Sequence, residues 1–119
     1  MKIVKTIEPC GVAIMHGKKA RIFRLFEIDD EHTALEIQKF VDTAIDVLMD
    51  EKPLFDVDCK TVETAANEFY CTLSVKNDEG DEIFFSSTAF ENSKSARICE
   101  YVLQAAVDYL TEDNTNDDD

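Results

Sequence analysis

The chain has 119 residues and carries 26 Asp and Glu against 12 Lys and Arg, which gives a formal net charge of −14. A surface of this sign repels nucleic acid and anionic membranes, so we predict no direct contact with either, and it attracts basic protein surfaces. No apolar run approaches the ~20 residues that a membrane span needs. The alternating N-terminus is unlike a signal peptide, which predicts a cytoplasmic protein.

The charge is unevenly distributed along the chain. Residues 1–28 carry six Lys and Arg against two Glu, a net of +4, whereas residues 29–119 carry six against 24 carboxylates, a net of −18. A basic first hairpin is therefore joined to an acidic body. The opposite signs favour pairing between these two parts, within one chain or between subunits.

Three strands are predicted before the first helix. Lys2–Ile7 is one, and Gly11–His16 and Ala20–Ile28 are β-rich runs separated by Gly17–Lys19, which is a hairpin signal. A helix is then predicted over residues 29–51, because apolar side chains recur along one face and polar side chains lie opposite.

The second half of the chain has a similar pattern. Leu54–Asp58 is predicted as a short strand, and Thr61–Asn67 as a loop or a helical turn. Phe69–Val75 alternates between apolar and polar residues, Asn77–Gly80 supplies turn residues, and Glu82–Ala89 returns as a strand. A helix with a wider apolar arc is predicted from Asn92 or Ser93 to Glu112.

These elements predict an α+β fold. We expect one domain over residues 1–112, a two-layer sandwich in which a mostly antiparallel sheet of five or six strands carries two helices on one face. Residues 10–51 and 69–112 share the order strand, turn, strand, helix, which indicates an internal ββα duplication or a coincidence. Residues 113–119 are predicted to be a disordered acidic tail.

Carboxylates follow the polar faces of both helices. Asp42, Asp46 and Asp50 recur at i, i+4 and i+8, which places them on one face about 6 Å apart, similar to the phosphate spacing along one DNA strand. A second set lies on the other helix: Glu100, Asp108 and Glu112.

In size and charge the chain resembles acidic nucleic-acid mimics encoded by phages and mobile elements, which occupy the basic groove of a nucleic-acid-binding protein. This resemblance implies an inhibitor or modulator whose partner is a protein with a basic surface. The alternative is an ordinary solvated helix face.

A second hypothesis rests on apolar surface. The strand Ala20–Ile28 is apolar on both sides, with Phe23 and Leu25 on one of them. Such a strand is either covered on both faces or exposes a patch that binds a partner. Together with the wide apolar arc of the second helix, it indicates homodimerisation. It also fits a dimeric secretion chaperone or toxin-immunity protein.

The sequence offers little that could carry catalysis. The four cysteines form no Cys-x-x-Cys pair, so we expect reduced, buried thiols rather than a zinc site. His16 and His32 have no nucleophile motif nearby, and Asp56 and Asp58 do not fit a calcium loop. We therefore predict no enzyme activity, no cofactor and no metal site.

Overall fold

The computed structural model describes residues 2–16, 21–50 and 56–112 of the chain. Within these residues the fold is α+β, with two helices and two three-stranded antiparallel sheets. The elements in chain order are β1 (Lys2–Ile7), β2 (Cys10–His16), β3 (Arg21–Glu27), α1 (Glu31–Asp50), β4 (Asp56–Glu63), β5 (Phe69–Lys76), β6 (Glu82–Phe90) and α2 (Ser93–Glu112).

The strands do not form the single sheet of five or six strands that the sequence predicts. Sheet A has the order β1-β2-β3 and sheet B the order β4-β5-β6, and no ladder joins the two sheets in the described part of the chain. Each sheet is instead covered by its own helix, α1 on β1 and β2 and α2 on β4, β5 and β6. In the described residues each strand pairs with strands that are adjacent to it in sequence. These are the pairings that local sequence patterns indicate.

Most element predictions are confirmed. β1, β5, β6 and α2 lie within a residue or two of their predicted positions. The exception is the segment after Asp58, predicted as a loop or turn, where β4 continues to Glu63. It continues because Val57, Cys59 and Thr61 alternate onto the covered face of sheet B and pair with β5. The predicted turn Gly17–Lys19, part of the predicted strand Leu54–Asp58 and the acidic tail lie outside the described residues.

The two helices correspond at a fixed spacing of 62 residues, as Glu31 and Ser93 at their starts illustrate. Every fully buried position of α1 has a buried counterpart in α2. The pairs are Ala34 and Ala96, Ile37 and Cys99, Val41 and Leu103, Ala44 and Ala106, Ile45 and Val107, and Leu48 and Leu110. The halves therefore share one packing scheme, although a duplication as its origin stays a prediction.

One hydrophobic cluster joins both halves. It includes residues from β1, β2, α1, β4, β5 and α2, and α1 packs against α2. The molecule is flat, with principal extents of 42 × 41 × 16 Å.

One contact of the kind predicted between the basic hairpin and the acidic body is present, because Lys5 Nζ lies 3.2 Å from Glu31 Oε2.

Three of the four cysteines lie in the core between sheet B and α2. Cys59, Cys71 and Cys99 are buried, and all four thiols are free, as the sequence predicts. Burial, with smaller effects from nearby Cys71 and Asp58, raises the pKa of Cys59 to about 12. A hydrogen bond with Cys71, together with burial, raises the pKa of Cys99. These thiols are therefore protonated and poorly nucleophilic at neutral pH.

We expect a thiol reagent at about pH 8 to modify at most one cysteine rapidly in the folded protein, since only Cys10 is partly exposed. In denaturant all four should react. Cys10→Ser should then remove the fast phase while leaving three thiols that react only on unfolding. Rapid reaction of two or more thiols in the folded wild type would contradict the burial of this cluster.

Candidate functional site

The carboxylate stripe of α1 is present as predicted along one helix. Asp46 and Asp50 are exposed and Asp42 is half-buried. The helix as a whole carries five carboxylates against one lysine, a net of −4 with His32 neutral. Asp46 and Asp50 therefore face solvent on the last two turns of α1, whereas Asp42 lies one turn earlier, at the edge of the covered face.

Both helices end in carboxylates. Asp46 and Asp50 of α1 correspond to Asp108 and Glu112 of α2 at the spacing of 62, and neither helix has a basic residue in its last turn. Asp50 and Glu112 lie in the last turns, where the partial negative charge at the helix C-terminus repels a carboxylate, and this repulsion costs each helix some stability. The acidic helix ends are therefore not explained by helix stability.

Glu100 does not belong to an exposed stripe. It is half-buried, and its Oε1 accepts a hydrogen bond of 2.6 Å from Thr61 Oγ1 on β4. The equivalent position of α1 is Gln38, whose Nε2 donates to the carbonyl of Ile3 on β1 at 3.3 Å. In both halves this helix position thus ties the helix to the first strand of its sheet.

Asp108 is exposed and accepts a hydrogen bond of 2.9 Å from Gln104 Nε2, one helical turn earlier. The side chain of Glu112 lies outside the described part of the structure. The second predicted set is therefore divided, since Glu100 contacts sheet B and Asp108 faces solvent.

A cleft of about 330 Å³ lies where the two helices begin. Its lining residues form six pairs, each separated by 62 positions. They are Ile28 and Phe90, Asp29 and Glu91, Asp30 and Asn92, His32 and Lys94, Thr33 and Ser95, and Glu36 and Ile98. The cleft therefore lies between equivalent strand-to-helix corners of the two halves.

Each corner is fixed by an N-cap. Asp30 Oδ2 accepts hydrogen bonds from Thr33 N at 2.9 Å and from Thr33 Oγ1 at 2.7 Å, and Asn92 Oδ1 accepts one from Ser95 N at 2.8 Å. The Thr33 hydroxyl and then its backbone N–H lower the pKa of Asp30. The stabilisation that Asp30 provides is therefore present above its unfolded pKa and is lost as the pH falls through the lower folded value.

The rim of the cleft is acidic and its floor is apolar. Four carboxylates face one lysine, a net of −3 with His32 neutral. Lys94 Nζ lies 3.2 Å from Asp29 Oδ2 and so bridges the two halves. Ile28, Phe90 and Ile98 contribute the apolar floor. Local sequence patterns did not indicate this site, although the spacing of 62 relates its residues in pairs.

The predicted apolar pair lies elsewhere. Leu25 is 38% exposed and pairs with Ala13 on β2, which in turn pairs with Val4 on β1. This row points away from the helices, whereas the neighbouring row through Val12 faces the core. The side chain of Phe23 lies outside the described residues. Leu25 and the α1 stripe are thus on opposite sides of the fold.

The other carboxylate pairs are accounted for locally. Asp58 Oδ2 lies 3.3 Å from Lys60 Nζ, and Asp56 is opposite Lys76 across β4 and β5. Asn77 Oδ1 closes the β5–β6 turn by accepting from the backbone N–H groups of Glu79 and Asp81. Within the described ranges, no group of three or more His, Cys, Asp or Glu side chains is arranged to hold a metal ion.

Comparison of the chain with protein-family models, with curated proteins and with solved structures found no match. Neither α1 nor α2 is apolar enough along its length to cross a membrane.

The cap at the second corner gives a direct test of this geometry. We expect Asn92→Ala to lower the free energy of unfolding by about 1 kcal/mol, because the backbone N–H of Ser95 loses its acceptor. Denaturant unfolding would measure the change.

Asn92→Asp serves as the matched control, since it keeps an acceptor oxygen at the same position and should retain most of the stability. Equal stability of the wild type and Asn92→Ala would show that the cap does not fix this corner.

Proposed function

We propose that this chain is a small acidic protein that binds the basic surface of a partner protein and thereby inhibits or modulates it. The observation that carries the proposal is the pair of acidic helix ends. Asp46 and Asp50 recur as Asp108 and Glu112 in the second half, without a basic residue in either last turn. Contact with the cations of a partner protein would stabilise these charges, which helix stability disfavours.

These carboxylates have different energies in the free protein and against a basic partner surface. In the free protein Asp50, which is exposed in the last turn of α1, loses about 0.3–1 kcal/mol against the helix dipole at low ionic strength. Against a Lys- or Arg-rich surface the same group gains attraction instead. Electrostatic complementarity of this kind mainly increases the association rate and the salt dependence.

The cleft supports the same proposal by a different feature. Its net charge of −3 attracts a cation, and its floor of Ile28, Phe90 and Ile98 suits the methylene stem of a Lys or Arg side chain. A basic residue of the partner would place its stem on this floor and its charged end beside Glu91. The cleft would thus select a partner by the shape of the inserted side chain, in addition to the electrostatic attraction of the helix ends.

A narrower form of the proposal is nucleic-acid mimicry. The stripe Asp42, Asp46 and Asp50 repeats every four residues along α1, about 6 Å apart by helix geometry. A basic groove shaped for a phosphate backbone would accept such a row. The partner would then be a DNA- or RNA-binding protein, and nucleic acid would compete for the same surface.

The alternative function is that of a secretion chaperone or toxin-immunity protein. The observation in its favour is the exposure of Leu25 on β3, an edge strand of sheet A. Recognition would then be apolar and largely independent of salt. The double change Phe23→Ser/Leu25→Ser would abolish this recognition of the partner.

The test is retention of host proteins on the immobilised full-length chain at about 0.05 M and about 0.5 M NaCl, a range over which exposed charge pairs become screened. We expect Asp42→Asn/Asp46→Asn/Asp50→Asn to weaken retention roughly tenfold at low salt, since each exposed ion pair contributes about 0.2–1 kcal/mol. The salt dependence should also become flatter.

The matched control is Asp78→Asn/Glu79→Gln/Asp81→Asn, which removes the same charge from the exposed β5–β6 turn and should change retention little. Addition of DNA or RNA should release the partner if the mimicry form is correct. Equal retention by both triple variants, or a partner lost only on Leu25→Ser, would exclude the acidic surface as the binding site.

A further inference from the structure

The outer sheet face is the set of strand side chains that point away from α1 and α2. Several of its apolar members are well exposed, with Phe85 at 54%, Leu25 at 38% and Val62 at 37%. Cross-strand pairing assigns the face, since Tyr70 lies opposite Val62 on one side and Ala89 on the other, and Ser74 lies opposite Phe85. Its exposed or half-buried apolar residues are Val4, Met15, Leu25, Val62, Tyr70, Phe85 and Ala89, and Ala13 in the same set is buried.

This face is nearly neutral on a chain that is otherwise strongly acidic. Its described charged residues are Lys2, Glu27, Asp56, Asp58, Lys60, Lys76 and Glu82, three positive and four negative, a net of −1. The rest of the chain therefore carries −13 of the total of −14. Two of these charges also offset each other, because Lys60 pairs with Asp58.

We infer that the outer sheet face binds a second copy of this chain. Two molecules of charge −14 repel each other, so self-association requires a face on which the charges balance. A basic partner would be attracted instead to the helix side, where α1 carries a net of −4 and the cleft lining a net of −3. The occupant that suits a neutral, partly apolar sheet surface on an acidic chain is therefore the chain itself.

The thickness of the molecule supports a face-to-face contact. At 16 Å the fold has room for one layer of helices, about 10 Å across, on one layer of strands, which places both outer faces on the same side. Sheets stack face to face about 10 Å apart. Two copies related by a twofold axis would form four layers in the order helix, sheet, sheet, helix.

The available area is sufficient for a stable dimer. Three strands of about seven residues cover roughly 14 × 23 Å, or about 330 Å² for each sheet, from ordinary strand spacings. Both sheets of both copies would then bury at least about 1,300 Å² in total. This value lies within the range of specific protein–protein interfaces, about 1,200–2,000 Å².

The first experiment is the solution mass of the full-length chain at about 100 µM, which lies above the micromolar dissociation constants of the weaker interfaces of standard size. We expect about 27 kDa, twice the mass of 13.5 kDa for one chain. A mass of one chain at this concentration would overturn the inference. This result is independent of the partner proposed above, whose binding uses the helix side.

The second experiment locates the interface with two variants and a control. Thr72→Arg places a cation at the centre of sheet B on its outer side, opposite Lys60 and Ser87, and Phe85→Ser removes an exposed ring. Each should raise the dimer dissociation constant at least roughly tenfold. Tyr101→Arg, at a 58% exposed position on α2, should leave it unchanged.

The circular dichroism spectrum and unfolding midpoint of each variant would establish that the fold is retained. A dimer that survives both Thr72→Arg and Phe85→Ser with the fold intact would overturn the assignment. A dimer formed through the edge strands would survive Thr72→Arg, because Thr72 lies on β5, the central strand of its sheet, and would be outside such an interface. Dissociation by Tyr101→Arg alone would place the interface on the helices.

Discussion

The contact between α1 and α2 is the interaction on which the rest of the structure depends. Neither sheet has a ladder to the other within the described residues, so the helices unite two halves of about 60 residues each. A half of that size buries too little surface to be comfortably stable alone. Packing of the helices merges both interiors into one cluster, and this explains why the six buried positions of α1 have buried counterparts in α2.

The same constraint creates the cleft. Each helix follows a return strand, β3 before α1 and β6 before α2. Because the helices pack together near their first turns, their N-caps and the ends of these strands lie close to each other. Asp29 and Lys94, which belong to different halves, are joined there by an ion pair. The positive ends of both helices favour acidic residues at these corners, whereas the carboxylates at the other ends of the helices have no such support. This difference separates charge that stabilises the fold from charge that is available to a partner.

Local pattern was sufficient for the strands and helices, since alternation and amphipathicity are properties of neighbouring residues. It predicted both helices and all six strands, although it ended β4 at Asp58 instead of Glu63, and it placed Asp46 and Asp50 on an exposed face. It could not predict that the sheet divides in two, because strand pairing across the molecule depends on tertiary packing. Glu100 shows the same limit for the site. Helical spacing groups it with Asp108, but its partner Thr61 lies 39 residues away, and no local pattern contains that contact.

The two proposals are compatible because they use different sides of the fold. The outer sheet face carries −1, whereas α1 carries −4 and the cleft lining −3, and sheet-to-sheet association would leave the helix surfaces exposed. In such a dimer the two acidic surfaces lie on opposite sides of four layers, roughly 30 Å apart by layer spacing. That distance exceeds the Debye length of about 8 Å at physiological ionic strength. Each surface would therefore attract a basic partner without weakening the attraction of the other, and a partner with two basic sites would gain avidity from the dimer.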